Sequence, residues 1–203
     1  MAKDKPGEMI VKPTPEGLAA SATAASKGGM PPVHLWNPPF CGDLDMRIAR
    51  DGTWFYQGTP IGRPGLVRLF STILKLEDGA YFLVTPVEKV GITVDDAPFV
   101  AVDFEQIDGP DGVALRFETN VGDTTVAGSE NPIRVVRDTG TGEPSPYVHV
   151  RAGLEALIDR KSFYRLVELG HVSTVEGEDW FGVTSGGVFF PVIPASELDL
   201  ADH

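Results

Sequence analysis

The sequence predicts an α+β fold made of duplicated hairpin–helix–sheet units, with mostly antiparallel strands and two short helices. Three observations predict it. Gly (23) and Pro (17) are frequent, which favours turns and short elements over long helices. Alternating and aromatic-rich runs of strand type fill the middle of the chain. Three sequence matches also recur in the same order about a hundred residues apart.

The first match sets MRIARDG (46–52) on YVHVRAG (147–153), both ending Arg-x-Gly. The second sets IGRPGLVRL (61–69) on IDRKSFYRL (158–166) without gaps. The third sets YFLVT (81–85) on WFGVT (180–184). Matches in a fixed order, with helix and strand character agreeing, indicate a copied unit. Two such units would leave a natural place for a ligand between them.

Taken in order, residues 1–30 hold small residues, Lys, Pro and Gly without a periodic apolar face. They are expected as a flexible tail, with Leu18 to Ala25 curling only transiently. Val33 to Phe40 is apolar and Pro-punctuated, an extended lead-in anchored by Trp36. From Asp43 to Ile48 the chain alternates, with Leu44, Met46 and Ile48 on one face. Asp51-Gly52 turns it, and Thr53 to Gln57 returns as the partner strand. After a loop at 58–62, Pro64 suits the first turn of a helix. Leu66, Leu69, Phe70, Ile73 and Leu74 give that helix its apolar face over 64–76.

Asp78-Gly79 is the next turn. Residues 81–85 and 87–94 are strands around Pro86, and 99–107 and 113–119 are strands joined across DGPDG. Residues 120–131 read as a polar loop, 133–137 as a strand and 138–146 as a loop. LEALI (154–158) has helical propensity, yet the repeat makes it the second arm of a hairpin. A helix then runs from Arg160 towards Gly170. Gly186-Gly187 is a hairpin turn. The expected organisation is a tail over 1–30, an N-terminal α+β unit over 31–107 and a C-terminal unit over 108–203.

With 203 residues and 42% apolar content, the chain can bury a core. Its net charge of −12 opposes nucleic acid and anionic membrane surfaces, although a local basic pocket can still take a small anion. One cysteine, Cys41, excludes an intrachain disulfide, and there is no apolar run of spanning length and no secretion-signal core. A cytoplasmic, soluble protein is expected.

Arg63 and Arg160 hold equivalent places before the two helices, where positive groups suit phosphate or carboxylate, although a solvated Arg explains each alone. Arg50 and Arg151 precede the Gly of each hairpin turn, which hairpin pairing accounts for. Asp43 and Asp45 share a strand face with Arg47 and lack a third acidic ligand, so no metal site is expected. Cys41 has no Cys/His pattern with His34, His149, His171 or His203 and reads as a small buried thiol. Trp36, Trp54, Tyr56, Tyr147 and Trp180 could stack on a ring, or simply pack. Glu88 and Asn120 lie beside strand ends, at a pocket rim or in turns. No GxxxxGK[ST], strand-following GxGxxG, CxxC or HExxH is present, so no cofactor is expected.

WNPPFCGDLDMRI, DGTWFYQGTPIGRPGLVRLF, YFLVTPVEKVGI, DDAPF, TNVGD and YVHVRAGLEALIDRKSFY together resemble the proteobacterial domain-of-unknown-function family DUF1285, over about residues 30–193. The resemblance implies a duplicated core whose C-terminal half is pleckstrin-homology-like. It also implies a pocket at the junction of the halves, suited to a nucleotide-like ligand, and a role in signal transduction. It implies no catalytic residue. The leading expectation is a non-catalytic module binding a small anionic ligand between its halves. Arg47, Arg63 and Arg151 would meet the anion, Trp36 or Tyr56 would stack, and Glu88 and Asn120 would hydrogen-bond. A protein-interaction module without a small-molecule ligand is the alternative, and a small enzyme using Asp43, Asp45 or Cys41 is a third.

Overall fold

The computed structural model describes residues 13–26 and 29–200. Helix α1 (Pro15–Ala25) and a 3₁₀ turn (Val33–Leu35) lead into β1 (Phe40–Ile48), β2 (Trp54–Tyr56) and β3 (Thr59–Pro60). Helix α2 (Pro64–Thr72) follows, then β4 (Leu74–Glu77), β5 (Ala80–Val84) and β6 (Lys89–Val94). Next come β7 (Phe99–Gly109), β8 (Gly112–Thr119), β9 (Thr124–Val126), β10 (Ile133–Arg137), β11 (Pro144–Arg151) and β12 (Leu154–Ile158). Helix α3 (Arg160–Glu168), β13 (His171–Val175), β14 (Glu178–Ser185), β15 (Val188–Pro194) and a 3₁₀ turn (Ala195–Leu200) end the described chain.

Two six-stranded sheets, ordered β3-β2-β1-β6-β5-β4 and β10-β11-β12-β7-β8-β9, are joined by a three-stranded sheet, β13-β14-β15. Each larger sheet is two antiparallel trios meeting at one parallel pair, β1 with β6 and β12 with β7. The plan of hairpin, helix and three-stranded meander occurs twice: β1–β2, α2, β4–β6, and β11–β12, α3, β13–β15. The matched strings at 81–85 and 180–184 fall on the two middle strands, β5 and β14. The copies differ in one respect. The first meander joins its own hairpin through β6, whereas the second forms a separate sheet and β7–β9 lie beside its hairpin.

Local chemistry explains most elements. Leu44, Met46 and Ile48 are buried on β1 as the alternation requires. LEALI is strand β12 despite its propensity, because β11 and β7 pair with it on both edges and its alternate residues Leu154, Ala156 and Ile158 face the core. Helix α2 stops at Thr72, short of the expected 76. Leu74 and Leu76 pair instead with Leu83 and Tyr81 in a strand that buries Leu74. Residues 120–131 contain β9, and β11 begins at Pro144 inside the stretch read as a loop.

The tail is also corrected where it is described. Thr14 caps α1 by accepting from Gly17 N at 3.1 Å, and Leu18 and Ala22 are fully buried in the core beside α2. Pro15, Leu18 and Ala22 are its buried residues, and Ala19 packs against the same core. Residues 1–12, 27 and 28 of the expected tail lie outside the described residues. The lead-in begins with a 3₁₀ turn rather than extended backbone, and Trp36 is only partly buried. The change from first to second sheet falls between Val94 and Phe99. The boundary read at 107/108 therefore lies inside β7.

One hydrophobic core runs through both halves, from Leu18, Ile48 and Phe70 to Phe99, Val148 and Phe190. Polar clamps bind the seam. The Asn120 amide accepts from Val100 N at 3.0 Å and donates to Gly52 O at 3.3 Å. Gly52 has φ +84°, and a Cβ there would lie 2.5 Å from Asn120 Nδ2, so the seam needs glycine twice over. Arg151 Nη2 donates to Ser71 O at 2.8 Å, next to the end of α2, and Arg68 Nε donates to Val121 O at 3.1 Å.

Asn120→Ala would leave the Val100 N–H and one Gly52 lone pair unmatched at the seam. Loss of stability of roughly 2 kcal/mol is expected. Urea unfolding followed separately in each half should still give coincident curves, because the core is shared.

Candidate functional site

A concave site lined from both halves sits where the β11–β12 hairpin runs into α3. Asp159 caps α3, its carboxylate accepting from Ser162 N at 2.7 Å. That cap fixes the first turn and sends Arg160, Phe163 and Tyr164 outward around a cavity of about 320 Å³. Arg50 enters from the first half, carried by the β1–β2 turn that Asn120 holds. Its Nη2 donates to Ser145 Oγ at 2.8 Å, and its Nε lies 3.3 Å from Asp96 Oδ2. Tyr147 steadies Asp96 by donating its hydroxyl to Oδ1 at 2.7 Å. Burial and this bond push the Tyr147 phenol above its ordinary value. Across the cavity mouth, Arg160 Nη2 is 3.5 Å from Glu143 Oε1, a long and exposed pair open to competition.

Guanidinium groups from both halves thus line one cavity beside the Phe163 and Tyr164 rings, Arg50 facing the Asp96 carboxylate and Arg160 that of Glu143. Arg50 and Arg160 stood out in the sequence as twins of Arg151 and Arg63. Glu143, Ser145, Phe163 and Tyr164 carried no signal as site residues. Phe163 and Tyr164 did lie inside the matched string IDRKSFYRL.

The seven residues expected to share a site are spread over the molecule. Arg47, on β1, pairs with Asp95 and lies 4.7 Å from the Phe55 ring centre. Tyr56 and Arg63 do come together, beside a smaller cavity of about 220 Å³ between α1 and α2. Trp36 packs partly on the core and lines neither cavity. Asn120 and Arg151 span the seam, and Arg151 also lies 3.1 Å from Asp123. Burial lowers the Arg151 guanidinium from its ordinary value, with Asp123 opposing the shift. Glu88 is in the turn between β5 and β6, where its N–H donates to Thr85 Oγ1 at 3.2 Å. Cys41, expected buried, is partly exposed near the start of β1, its thiol donating to Pro39 O at 3.4 Å. Asp43 and Asp45 lie on β1, and among the described residues no three His, Cys, Asp or Glu side chains form a group that could hold a metal ion.

Compared with known families, residues 31–97 match the model described as "Domain of unknown function (DUF1285), N-terminal domain". Residues 98–192 match that of "Protein of unknown function (DUF1285), C-terminal domain". Among solved structures, the chain is similar to a DUF1285 family protein from Silicibacter pomeroyi DSS-3, with 65% identity and a TM-score of 0.81. That likeness covers 90% of this chain and 98% of that one. A DUF1285 family protein from Shewanella baltica OS155 shares 31% identity over 62% of this chain and 91% of its own, with a TM-score of 0.49. No curated protein matches.

Burial raises the Glu88 carboxyl above its ordinary value, so the folded state holds that proton more tightly than the unfolded chain. The contribution of Glu88 is therefore favourable in acid and is lost as pH rises through the raised value. Glu88→Gln should melt higher than the parent at neutral pH, with the gap closing as pH falls below the ordinary glutamate range. Thermal melts across pH read this directly.

Proposed function

The chain belongs to the DUF1285 family, and from that premise we propose that it is a non-catalytic module that binds a small anionic, nucleotide-like ligand at the junction of its halves. One observation carries the reading: Arg50 from the first half and Arg160 from the second line the same cavity, beside Phe163 and Tyr164. Guanidinium groups recognise phosphate or carboxylate through paired N–H donors, and an aromatic face takes a planar ring. The cavity volume lies at the small end of the range for ligand sites, which suits a single small molecule. The overall charge of −12 does not oppose this, because fields from distant charges are screened within about 8 Å at physiological salt.

In this reading Asn120 and Arg151 serve the site by holding the halves together, and Arg47 keeps Asp95 on its own sheet. The reading takes the C-terminal half as pleckstrin-homology-like, supported by its many strands and single α-helix. It places the module in the cytoplasm, in signal transduction. A single cysteine, which cannot form an intrachain disulfide, supports the location. A second reading, a protein partner without a small-molecule ligand, draws on β13. It is an outer strand of the third sheet, and its Val172 is half-exposed.

Thermal-shift screening against a nucleotide panel tests the first reading. A bound ligand at a hundred times its Kd adds about 2.7 kcal/mol of stability. Arg160→Ala should reduce that shift while leaving the unliganded melt near its parent value, whereas Arg50→Ala should reduce it and also lower the unliganded melt, because Asp96 loses its ion-pair partner. A panel without any stabilising member overturns the reading.

A further inference from the structure

Each copy of the repeat borders an open cavity at the same place. The ungapped match of 61–69 with 158–166 sets Ile61 on Ile158, Gly62 on Asp159, Arg63 on Arg160 and Leu66 on Phe163. All four pairs line their respective cavities, about 220 Å³ in the first copy and about 320 Å³ in the second. Shared ancestry accounts for that much.

It does not account for the rest of the walls. The first cavity is bordered by Pro15 and Glu16 of α1, the second by Glu143 and Pro144 where the chain enters β11. These segments have no counterpart in each other, yet each brings a glutamate. The tyrosines likewise come from unrelated positions. Tyr56 lies on β2, whereas Tyr164 lies on α3, where the match places Val67 in the first copy. An arginine kept by descent is thus surrounded, in both copies, by a tyrosine and a glutamate that arrived independently. Common ligand chemistry explains such agreement: a cation for an anionic group, a ring for a ring, a carboxylate to accept from a hydroxyl.

From this we infer that the cavity between α1 and α2 is a second binding site for the same class of ligand, a small anion bearing a planar ring and a hydroxyl. The inference rests on the reading of the α3 cavity given above. Arg63 meets the anion, Tyr56 packs on the ring and Glu16 accepts from the hydroxyl. Helix α1 is therefore part of the site, held in place by the buried Leu18 and Ala22. The chain takes two equivalents. The α3 site is the tighter, because Arg50 adds a second guanidinium there and the first cavity has no equivalent.

Calorimetric titration of the full chain with AMP tests this, together with NMR observation of the Arg63 and Arg160 Nε–H groups. Two equivalents are expected, with both arginine signals shifting. Arg63→Ala should weaken the weaker site by about tenfold and leave the Arg160 response intact. Arg63 is exposed, so the melt of that variant should match the parent. Adenosine, which keeps the ring and hydroxyls without the anion, should not move the Arg63 signal. One equivalent, lost in Arg160→Ala and indifferent to Arg63→Ala, overturns this inference and leaves the α3 site standing. Two equivalents unaffected by Arg63→Ala, or an Arg63 response to adenosine equal to that to AMP, overturn it as well. No binding of AMP at either arginine removes both sites together.

Discussion

Neither six-stranded sheet can keep its inner face dry without the other. Met46, Ile48, Trp54 and Phe70 of the first half share one core with Phe99, Phe117, Val148 and Leu154 of the second. A sheet buries one face against another layer, and a unit this small would expose too much apolar surface alone. The two halves thus contribute to one continuous core, and the seam between them is part of the interior.

That seam explains where the polar chemistry lies. Backbone groups left over where two sheets meet must be matched. Asn120 matches Val100 and Gly52, and Arg151 matches Ser71. Each lies close to a turn of one hairpin or loop and reaches into the other half. Asn120 ties the β1–β2 turn to the second half, and Arg50, two residues before Gly52, reaches the α3 cavity from it. A clamp and a candidate ligand contact are neighbours on one turn. The halves cannot shift at the seam without moving Arg50 relative to Arg160.

The repeat was legible because its signature is local. Arg-x-Gly at a hairpin turn, Ile-x-Arg at a strand-to-helix passage and a five-residue strand each need only near neighbours to be recognised. It correctly overrode helical propensity at 154–158, where neighbouring strands on both sides outweigh a few tenths of a kcal/mol per residue. Its limits were equally physical. The end of α2 depends on Leu74 finding Leu83, and the order of α1 depends on a groove that forms only once the core exists. The candidate site was half visible: Arg160 and Arg63 stood in matched places. Asn120 and Arg151 are polar residues near turns, and nothing in the chain around them distinguishes a seam clamp from a ligand contact.

The amino-acid order by itself determined the α+β class, the copied unit, the membership of the family and the short elements, because each follows from periodicity, turn chemistry or a string of identities. Only the tertiary structure decided which strands share a sheet, that the second meander stands apart from its hairpin, and which arginines face a cavity. Those depend on contacts between residues far apart in sequence: Arg50 with Ser145, Asn120 with Gly52, Glu143 with Arg160. Such contacts are set by how two sheets cover one core, a property no segment carries alone.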